Sequence, residues 1–217
     1  MNLVALSVYS YFLYTLFWPP AITRHSLPKS IDYFTIHGIW PERNNGTWPQ
    51  YCNNSQPFNE SEIADLVPIL KNVWYDYNDK NLEKSVFFDN TCSLLNTMDD
   101  QFEKYSLWRH EWSKHGTCAE DVLPSERIYF LQAIKWHHEY QPLKAFEKEN
   151  IYPNNTYYTL LQLQKALNNY YQYNIRIMCE GDILSSLELC FDKNLLLIDC
   201  LRSSKCPNRV YFKEFMK

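Results

Sequence analysis

The sequence predicts a single α+β domain, in which a central antiparallel β-sheet is flanked by several helices and cross-linked by disulfides. Segments whose apolar residues recur at helical spacing are mixed with short alternating segments that end at turns. The 217 residues suit one core, and no linker or repeat divides them. Seven cysteines are many for a cytosolic enzyme, and without CxxC pairs or zinc-ligand spacing they favour structural disulfides.

The first strand is predicted at Tyr9–Trp18, where aromatic and polar residues alternate before two prolines. The uncharged run up to Trp18 lacks the basic start and the cleavage site of a signal peptide. It is also short and contains Tyr and Ser, which disfavours a membrane span. We therefore expect one domain over residues 1–217, with residues 1–8 a possible remnant of a leader.

The second strand is predicted at Tyr33–Trp40, where alternation places Phe34 and Ile36 on one face. His37 then lies on the other face, toward a cleft or solvent. The residues from 44 to 57 that follow are polar and predict a loop.

Helices are predicted in four later segments. Ser61 is expected to cap a helix that reaches Trp74, with Pro68 kinking or shortening it. A second helix is expected at Tyr105–His115, ended by Gly116. The third helix is expected to begin after Ser125, with Ile128, Leu131 and Ile134 inward. The fourth is expected to span Thr159–Tyr171, with Leu160, Leu163 and Leu167 inward.

Two strands are predicted near the end of the chain, at Leu187–Phe191 and Leu195–Asp199. The turn between them is placed at residues 192–194. A tight hairpin there would set Cys190 opposite residue 196, so a bond from Cys190 to Cys200 needs a bend or a longer loop.

The charge balance argues against a protein that coats duplex nucleic acid, since 25 acidic residues outnumber 21 basic ones. Protonation of the six histidines would reverse the sign, so a polyanion is held better at acidic pH. Glycosylation sequons agree with a secretory route to the extracellular space or to a vacuolar or lysosomal lumen. The sequons are at Asn45, Asn53, Asn59 and Asn154.

Two histidine-containing motifs predict acid–base chemistry on a phosphodiester. One is the segment Phe34–Pro41 around His37, and the other is Trp108–Cys118, with His110, Glu111, Lys114 and His115. Histidine both gives and takes a proton near neutral pH. Taken alone, the second motif could equally be an exposed helix face with an i,i+4 ion pair. The remaining histidines, His25, His137 and His138, have no motif partner and are expected on the solvated surface.

Both motifs, in this order, resemble the active-site segments of the ribonuclease T2 family, and most of all its plant self-incompatibility and S-like members. The resemblance extends from the first strand to the last four cysteines. It implies metal-free, cofactor-free cleavage of RNA, and not of DNA, through a 2′,3′-cyclic phosphate. His115 would be the general base and His37 the general acid. His110 would bind the phosphate, while Glu111 and Lys114 would stabilise the transition state.

The resemblance also implies a base pocket at Trp40, Glu42 and Trp48, with Leu107 nearby, although Trp40 could equally be a core residue. Phe17 stands where the family commonly has Gln, which removes an amide that could contact a second base. The family position of each cysteine implies the disulfides Cys52–Cys118, Cys179–Cys206 and Cys190–Cys200. Cys92 then stays unpaired, and the protein is expected to be a monomer.

Three physiological interpretations stay open at this point. The acidic composition favours an S-like or general ribonuclease that serves RNA scavenging, phosphate recovery or defence. The unpaired Cys92 favours a self-incompatibility ribonuclease. A catalytically silent glycoprotein, kept for binding or storage, is the alternative from another class.

Overall fold

The structure is a computed structural model that describes residues 8–23, 28, 30–77 and 106–215. Residues 1–7 of the leader remnant expected at residues 1–8, together with His25, Cys92 and Tyr105, lie outside the described residues. In chain order the elements are β1 (Tyr11–Phe17), α1 (Pro19–Ile22), β2 (Thr35–Glu42), a 3-10 turn (Glu60–Ile63), α2 (Val67–Val73), α3 (Ser106–Lys114), a 3-10 turn (Gly116–Cys118), α4 (Glu126–Glu139), α5 (Pro142–Lys148), β3 (Thr156–Thr159), α6 (Leu160–Tyr171), β4 (Arg176–Glu180), β5 (Ile183–Phe191), β6 (Leu197–Ile198) and β7 (Arg209–Phe212).

These elements confirm the α+β class, with the described strands in one seven-stranded sheet. β1 lies between β2 and β5, and β4 and β6 also pair with β5. The pairs are antiparallel except for a one-residue parallel contact between Ile183 of β5 and Tyr211 of β7. Within the described ranges, no helix combines the length and apolar character needed to cross a bilayer.

The core between the sheet and the helices is mostly aromatic. Trp136 of α4 stacks on Phe191 of β5 at 3.7 Å between ring centroids, and Tyr14 of β1 lies 5.4 Å from Trp136. The hydroxyl of Tyr14 donates to the carbonyl of Ala133 at 3.1 Å, which satisfies its polar group in the interior. Aromatic packing therefore fixes α4 across the sheet.

The inward face predicted for α4 is wrong. Ile128 and Leu131 are exposed and Ile134 is half-buried, whereas the buried side chains include Tyr129 and Phe130. Both sets have helical spacing, and the larger apolar area of the aromatic set decides which face packs. The helix does begin after Ser125, whose hydroxyl accepts from the amide of Ile128 at 3.3 Å.

The helix around Pro68 is shortened, as predicted, but its cap differs from the prediction. Asn59, not Ser61, caps the 3-10 turn, through a side-chain oxygen that accepts from the amide of Ser61 at 3.2 Å. Pro68 lies in the first turn of α2, where a missing amide costs nothing, so it begins a short helix and does not kink a long one.

The predicted helix over residues 159–171 is confirmed as α6. Thr159 and Gln162 form a reciprocal capping box at its start, and Gln172, in the left-handed region, ends it. Leu163 and Leu167 are buried, as expected.

The C-terminal hairpin has the longer loop that Cys190 requires. Asp192 to Leu196 form the loop, with Leu195 at a positive φ of 63°, and Cys190 pairs with Ile198. The strand partner of Cys190 is thus two residues nearer to Cys200 than in a tight hairpin. This loop allows the disulfide without a distortion of β5.

The three disulfides are those that the resemblance implies: Cys52–Cys118, Cys179–Cys206 and Cys190–Cys200. Their sequence separations are 66, 27 and 10 residues. Cys52–Cys118 joins the loop after β2 to the turn after α3, and it therefore ties together the elements that carry the two histidine motifs.

Removal of Cys52–Cys118 by the double substitution Cys52→Ser and Cys118→Ser is expected to cost about 4 kcal/mol of stability, because it releases the longest loop. Removal of Cys190–Cys200, with the shortest loop, should cost only about 3 kcal/mol. Urea unfolding of both double variants checks this order. A larger loss for the Cys190–Cys200 variant would contradict the loop-length explanation.

Sequon residues Asn45, Asn59 and Asn154 are exposed, and Asn53 is half-buried. The Asn53 amide nitrogen donates to the Glu120 carboxylate at 2.9 Å, so attachment of a glycan there would disturb an existing contact. Glycosylation at these positions stays a prediction.

Candidate active site

His37 occupies a β-bulge. Thr15 of β1 pairs with Gly38 and Leu16 pairs with Ile36, so His37 has no partner on β1. A bulge adds one residue to a strand and redirects its side chain. Strict alternation would place Trp40 on the face opposite to His37, whereas the bulge brings both side chains into one cleft.

The other motif lies on α3 and in the turn after it. The amide of His115 donates to the carbonyl of Glu111 at 3.0 Å, which continues the helical path for one residue beyond Lys114. The helix ends before Gly116, as expected, although Gly116 lacks the positive φ that is common at a C-terminal glycine and the chain goes on into a 3-10 turn. Glycine is required there because an added Cβ would lie 2.3 Å from the Trp112 ring.

Glu111 connects the two motifs. Its carboxylate is buried, accepts from the Trp40 indole Nε1 at 2.7 Å, and lies 3.5 Å from His37 Nε2. Gly38 makes this approach possible, since an added Cβ would lie 2.0 Å from Glu111 Oε2 and 2.6 Å from Trp40 Nε1. Any side chain with a Cβ at residue 38 is therefore incompatible with the observed placement of the Glu111 carboxylate.

Trp40 contacts two imidazoles, that of the half-buried His37 and that of the buried His115. Its ring lies 4.8 Å from His37 in an edge geometry and 5.3 Å from His115 in a stacked geometry. The His110 ring lies 6.4 Å from His115 and is exposed. Phe17 stacks on His37 at 3.9 Å between ring centroids. The loss of a base contact at Phe17 stays a prediction, and the structure adds a contact between Phe17 and His37.

Burial dominates the proton affinities of these groups. It lowers the pKa of His37 to about 3, helped by the charges of His110 and Lys114, and lowers the pKa of His115 to about 3, helped first by Lys114. It raises the pKa of Glu111 to about 8 against the opposing effects of the Trp40 hydrogen bond and Lys114. At neutral pH the free protein therefore holds two neutral imidazoles and a largely protonated carboxyl.

The buried His115 predicts a loss of stability in acid. The unfolded imidazole titrates near 6.5 and the folded one near 3, so the unfolded state binds more protons between these values. The contribution is present above pH 6.5 and is lost as the pH falls toward 3, by about 2 kcal/mol at pH 5. His115→Asn removes this linkage. Calorimetry should show a fall in Tm from pH 7 to pH 5 that is roughly 5 °C smaller in the variant. Parallel Tm curves would contradict it.

The cleft has a volume of about 330 Å³ and is lined by both motifs. Of the residues predicted to bind a base, Trp40, Glu42 and Trp48 line it, and Leu107 does not. The Leu107 side chain packs against the core while its amide donates to Asp76 at 2.8 Å. Sequence reasoning missed four further lining residues with polar or charged side chains: Arg176, Glu188, Arg202 and Lys205. A signal was available, since two of these cations lie in the short interval between Cys200 and Cys206.

His137 was expected on the surface, but the structure contradicts this. Its Nε2 lies 2.8 Å from the carbonyl oxygen of Phe34, just before β2, and its ring contacts Tyr33. It links α4 to the strand that carries His37. His138 is exposed, as expected.

Among the residues that the structure describes, those that could hold a metal are His110, Glu111 and His115, whose ligand atoms lie within 4.8 Å of one another. Two imidazoles and a carboxylate are a donor set that transition metals accept. His115, whose imidazole is neutral at pH 7, would also be available as a ligand. Metal dependence must therefore be tested directly.

Comparisons with known proteins identify the relatives of this chain. The model of the ribonuclease T2 family matches residues 9–200. Ribonuclease T2-A of Mus musculus is 33% identical over 195 residues, and the match covers 84% of this chain but only 66% of the mouse protein. Extracellular ribonuclease LE of Solanum lycopersicum is 29% identical, with 84% of this chain and 74% of the tomato protein covered. The solved structure of RNase NT in complex with 5′-AMP is 28% identical, with a TM-score of 0.74 over 95% of this chain and 99% of RNase NT.

Proposed function

The chain belongs to the ribonuclease T2 family, and on that premise we propose that it is an endoribonuclease of single-stranded RNA. The reaction is transphosphorylation through a 2′,3′-cyclic phosphate, with no metal or cofactor. The observation that carries the proposal is that His37 and His115, from separate elements, both contact Trp40 in one cleft.

In this mechanism His115 removes the proton of the ribose 2′-hydroxyl, and the oxygen attacks the adjacent phosphorus. His37 protonates the 5′-oxygen as its bond to phosphorus breaks. In-line attack needs a proton acceptor and a proton donor on opposite sides of the phosphorus. His115, just after α3, and His37, on β2, come from separate elements and can take these two roles. His110 and Lys114, at the mouth of the same cleft, bind the phosphate oxygens.

The buried Glu111 carboxyl stabilises the transition state through a hydrogen bond to the phosphate. With its pKa raised to about 8 it is mostly protonated in mild acid, so the carboxyl can donate to a phosphate oxygen. The phosphate anion itself raises the pKa of both imidazoles when it enters the cleft, so that His37 can take up from the solvent the proton that it later donates to the 5′-oxygen. This proton uptake predicts an activity optimum at mildly acidic pH.

The proposal is tested with two matched oligonucleotides of one sequence, one RNA and one DNA, in the presence of EDTA. Only the RNA should be cut, because the nucleophile is the 2′-hydroxyl of the substrate. Mass spectrometry should detect fragments that end in a cyclic phosphate. Loss of activity in EDTA, with recovery on metal addition, would contradict the mechanism. A completely inactive protein with all three disulfides formed would favour the silent glycoprotein.

The proposed setting is extracellular or in an acidic lumen, where disulfides persist and the mildly acidic optimum is useful. The tomato relative carries the description extracellular in its name. The proposed partner is RNA, bound by a monomer, with a base stacked at Trp40 and the exposed Trp48. General RNA turnover suits the acidic composition better than self-incompatibility does.

A further inference from the structure

The segment from Cys200 to Cys206 is fixed at both ends. Cys200 is bonded to Cys190 of β5, and Cys206 is bonded to Cys179 of β4. Between them, the Ser204 hydroxyl accepts from the amide of Ile177, and the amide of Lys205 donates to the Ile177 carbonyl, both at 2.9 Å. This segment therefore lies along β4 in one conformation and carries Arg202 at the cleft.

The guanidinium of Arg202 is itself held in place from two directions. Its Nη2 donates to Glu42 Oε2 at 2.6 Å. On another side it packs against Gly46, where an added Cβ would lie 3.2 Å from Nη2. Gly46 belongs to the turn that leads directly to Trp48, and Glu42 lies two residues after Trp40 on β2. Arg202 thus contacts both segments that carry the residues proposed to stack a base, β2 with Trp40 and the turn before Trp48.

The contact between Arg202 and Glu42 changes which hydrogen-bonding groups of the pocket can reach a base. The Glu42 side chain is only 5% exposed and its carboxylate is engaged, whereas the Arg202 side chain is 33% exposed. Glu42 is the one hydrogen-bond acceptor for the Arg202 guanidinium within the described part of the chain. The other N–H groups stay available, so the pocket presents donors where Glu42 alone would present acceptors.

We propose that Arg202 determines base preference, by donating two hydrogen bonds to O6 and N7 of a guanine stacked between Trp40 and Trp48. Guanine is the base with two adjacent acceptors that match the planar donor fork of arginine. The inference rests on the proposed ribonuclease function and deepens it.

A role for Arg202 as a phosphate ligand fits the charges less well. Glu42 neutralises Arg202, and Glu188 neutralises Arg176 in a buried ion pair. A neutralised guanidinium keeps its donors but attracts a phosphate weakly. Lys205, which is exposed in the same cleft, is the better phosphate contact and therefore a suitable control.

The experiment uses DNA oligonucleotides with a single ribonucleotide, so that cleavage occurs at one bond. One series varies the base of the ribonucleotide, and a second varies the base that follows it. At one of the two positions, kcat/KM of the wild type should be highest with guanine. Arg202→Gln should lower kcat/KM on that substrate about 10- to 100-fold and change the others less than about threefold. Arg202→Lys keeps the charge but lacks the fork, so it should lose the preference as well.

Lys205→Gln should lower kcat/KM on all bases by a similar factor, since a phosphate contact carries no base information. Activity of the Arg202 variants on the other bases shows that they fold. A uniform loss in Arg202→Gln, or a wild type without a guanine preference, would overturn the inference. A wild type that cuts none of the oligonucleotides would contradict the proposed function instead.

Discussion

Replacement of His115 by alanine is expected to lower the rate of RNA cleavage about a thousandfold, within the range of general acid–base catalysis. Its imidazole is buried against Trp40 in the cleft, and alanine leaves no group that can accept the 2′-hydroxyl proton. His37→Ala should cause a loss of similar size, since the leaving oxygen then departs unprotonated. Initial rates on an RNA oligonucleotide at pH 5 and pH 7 give the measurement.

Three controls separate chemistry from folding. His138→Ala changes an exposed histidine on α4 and should keep wild-type activity. Thermal unfolding shows whether the cavity left in His115→Ala destabilises the protein, and added imidazole should restore part of its activity. If His115→Ala kept more than about a tenth of the wild-type rate, His115 would not be the base, because general-base catalysis contributes far more than tenfold.

Gly38→Ala is expected to abolish most of the activity although it adds a single methyl group. The new Cβ would lie 2.0 Å from Glu111 Oε2 and 2.6 Å from Trp40 Nε1, well inside contact distance. Relief of this clash moves Glu111 away from Trp40 and His37, so the hydrogen bond of 2.7 Å is lost. A misplacement of about 1 Å in a catalytic group costs on the order of a hundredfold in rate.

The matched control is Gly181→Ala. Gly181 has a φ of +63°, so alanine there is strained, but nothing lies within 4 Å of the added Cβ. Both variants should lose stability, by about 1 kcal/mol for Gly181→Ala, whereas only Gly38→Ala should lose activity. Steady-state kinetics together with the Tm of both proteins tests this. Wild-type kinetics in Gly38→Ala would show that Glu111 can be displaced without consequence.

Local sequence signals predicted those elements whose ends have a capping or turn residue of their own. Ser125 and Thr159 cap α4 and α6, where the expected helices begin. The strands β3, β4 and β7 were missed, because each is five residues or shorter and owes its pairing to distant partners. The inward face of α4 was wrong for a related reason, since the sheet beneath selects the aromatic side of the helix.

The two histidine motifs identified the residues of the cleft, while its arrangement depended on contacts across the chain. The bulge at His37 comes from register with β1, which no local pattern reports. The pairing of Arg202 with Glu42 joins residues 160 positions apart. Gly38 and Gly116 were visible as residues, but the close approach of Glu111 to one and Trp112 to the other requires coordinates.

The bulge in β2 also suggests how a one-residue deletion could remove the activity of the protein. Loss of the codon for Thr35 would let β2 follow β1 in unbroken register, and Ile36 and His37 would then exchange faces. His37 would point toward the interior beside Leu16, while the sheet and all six paired cysteines remained. A strand β2 that is one residue shorter is therefore expected to mark an inactive homologue, even where every histidine of the active enzyme is still encoded.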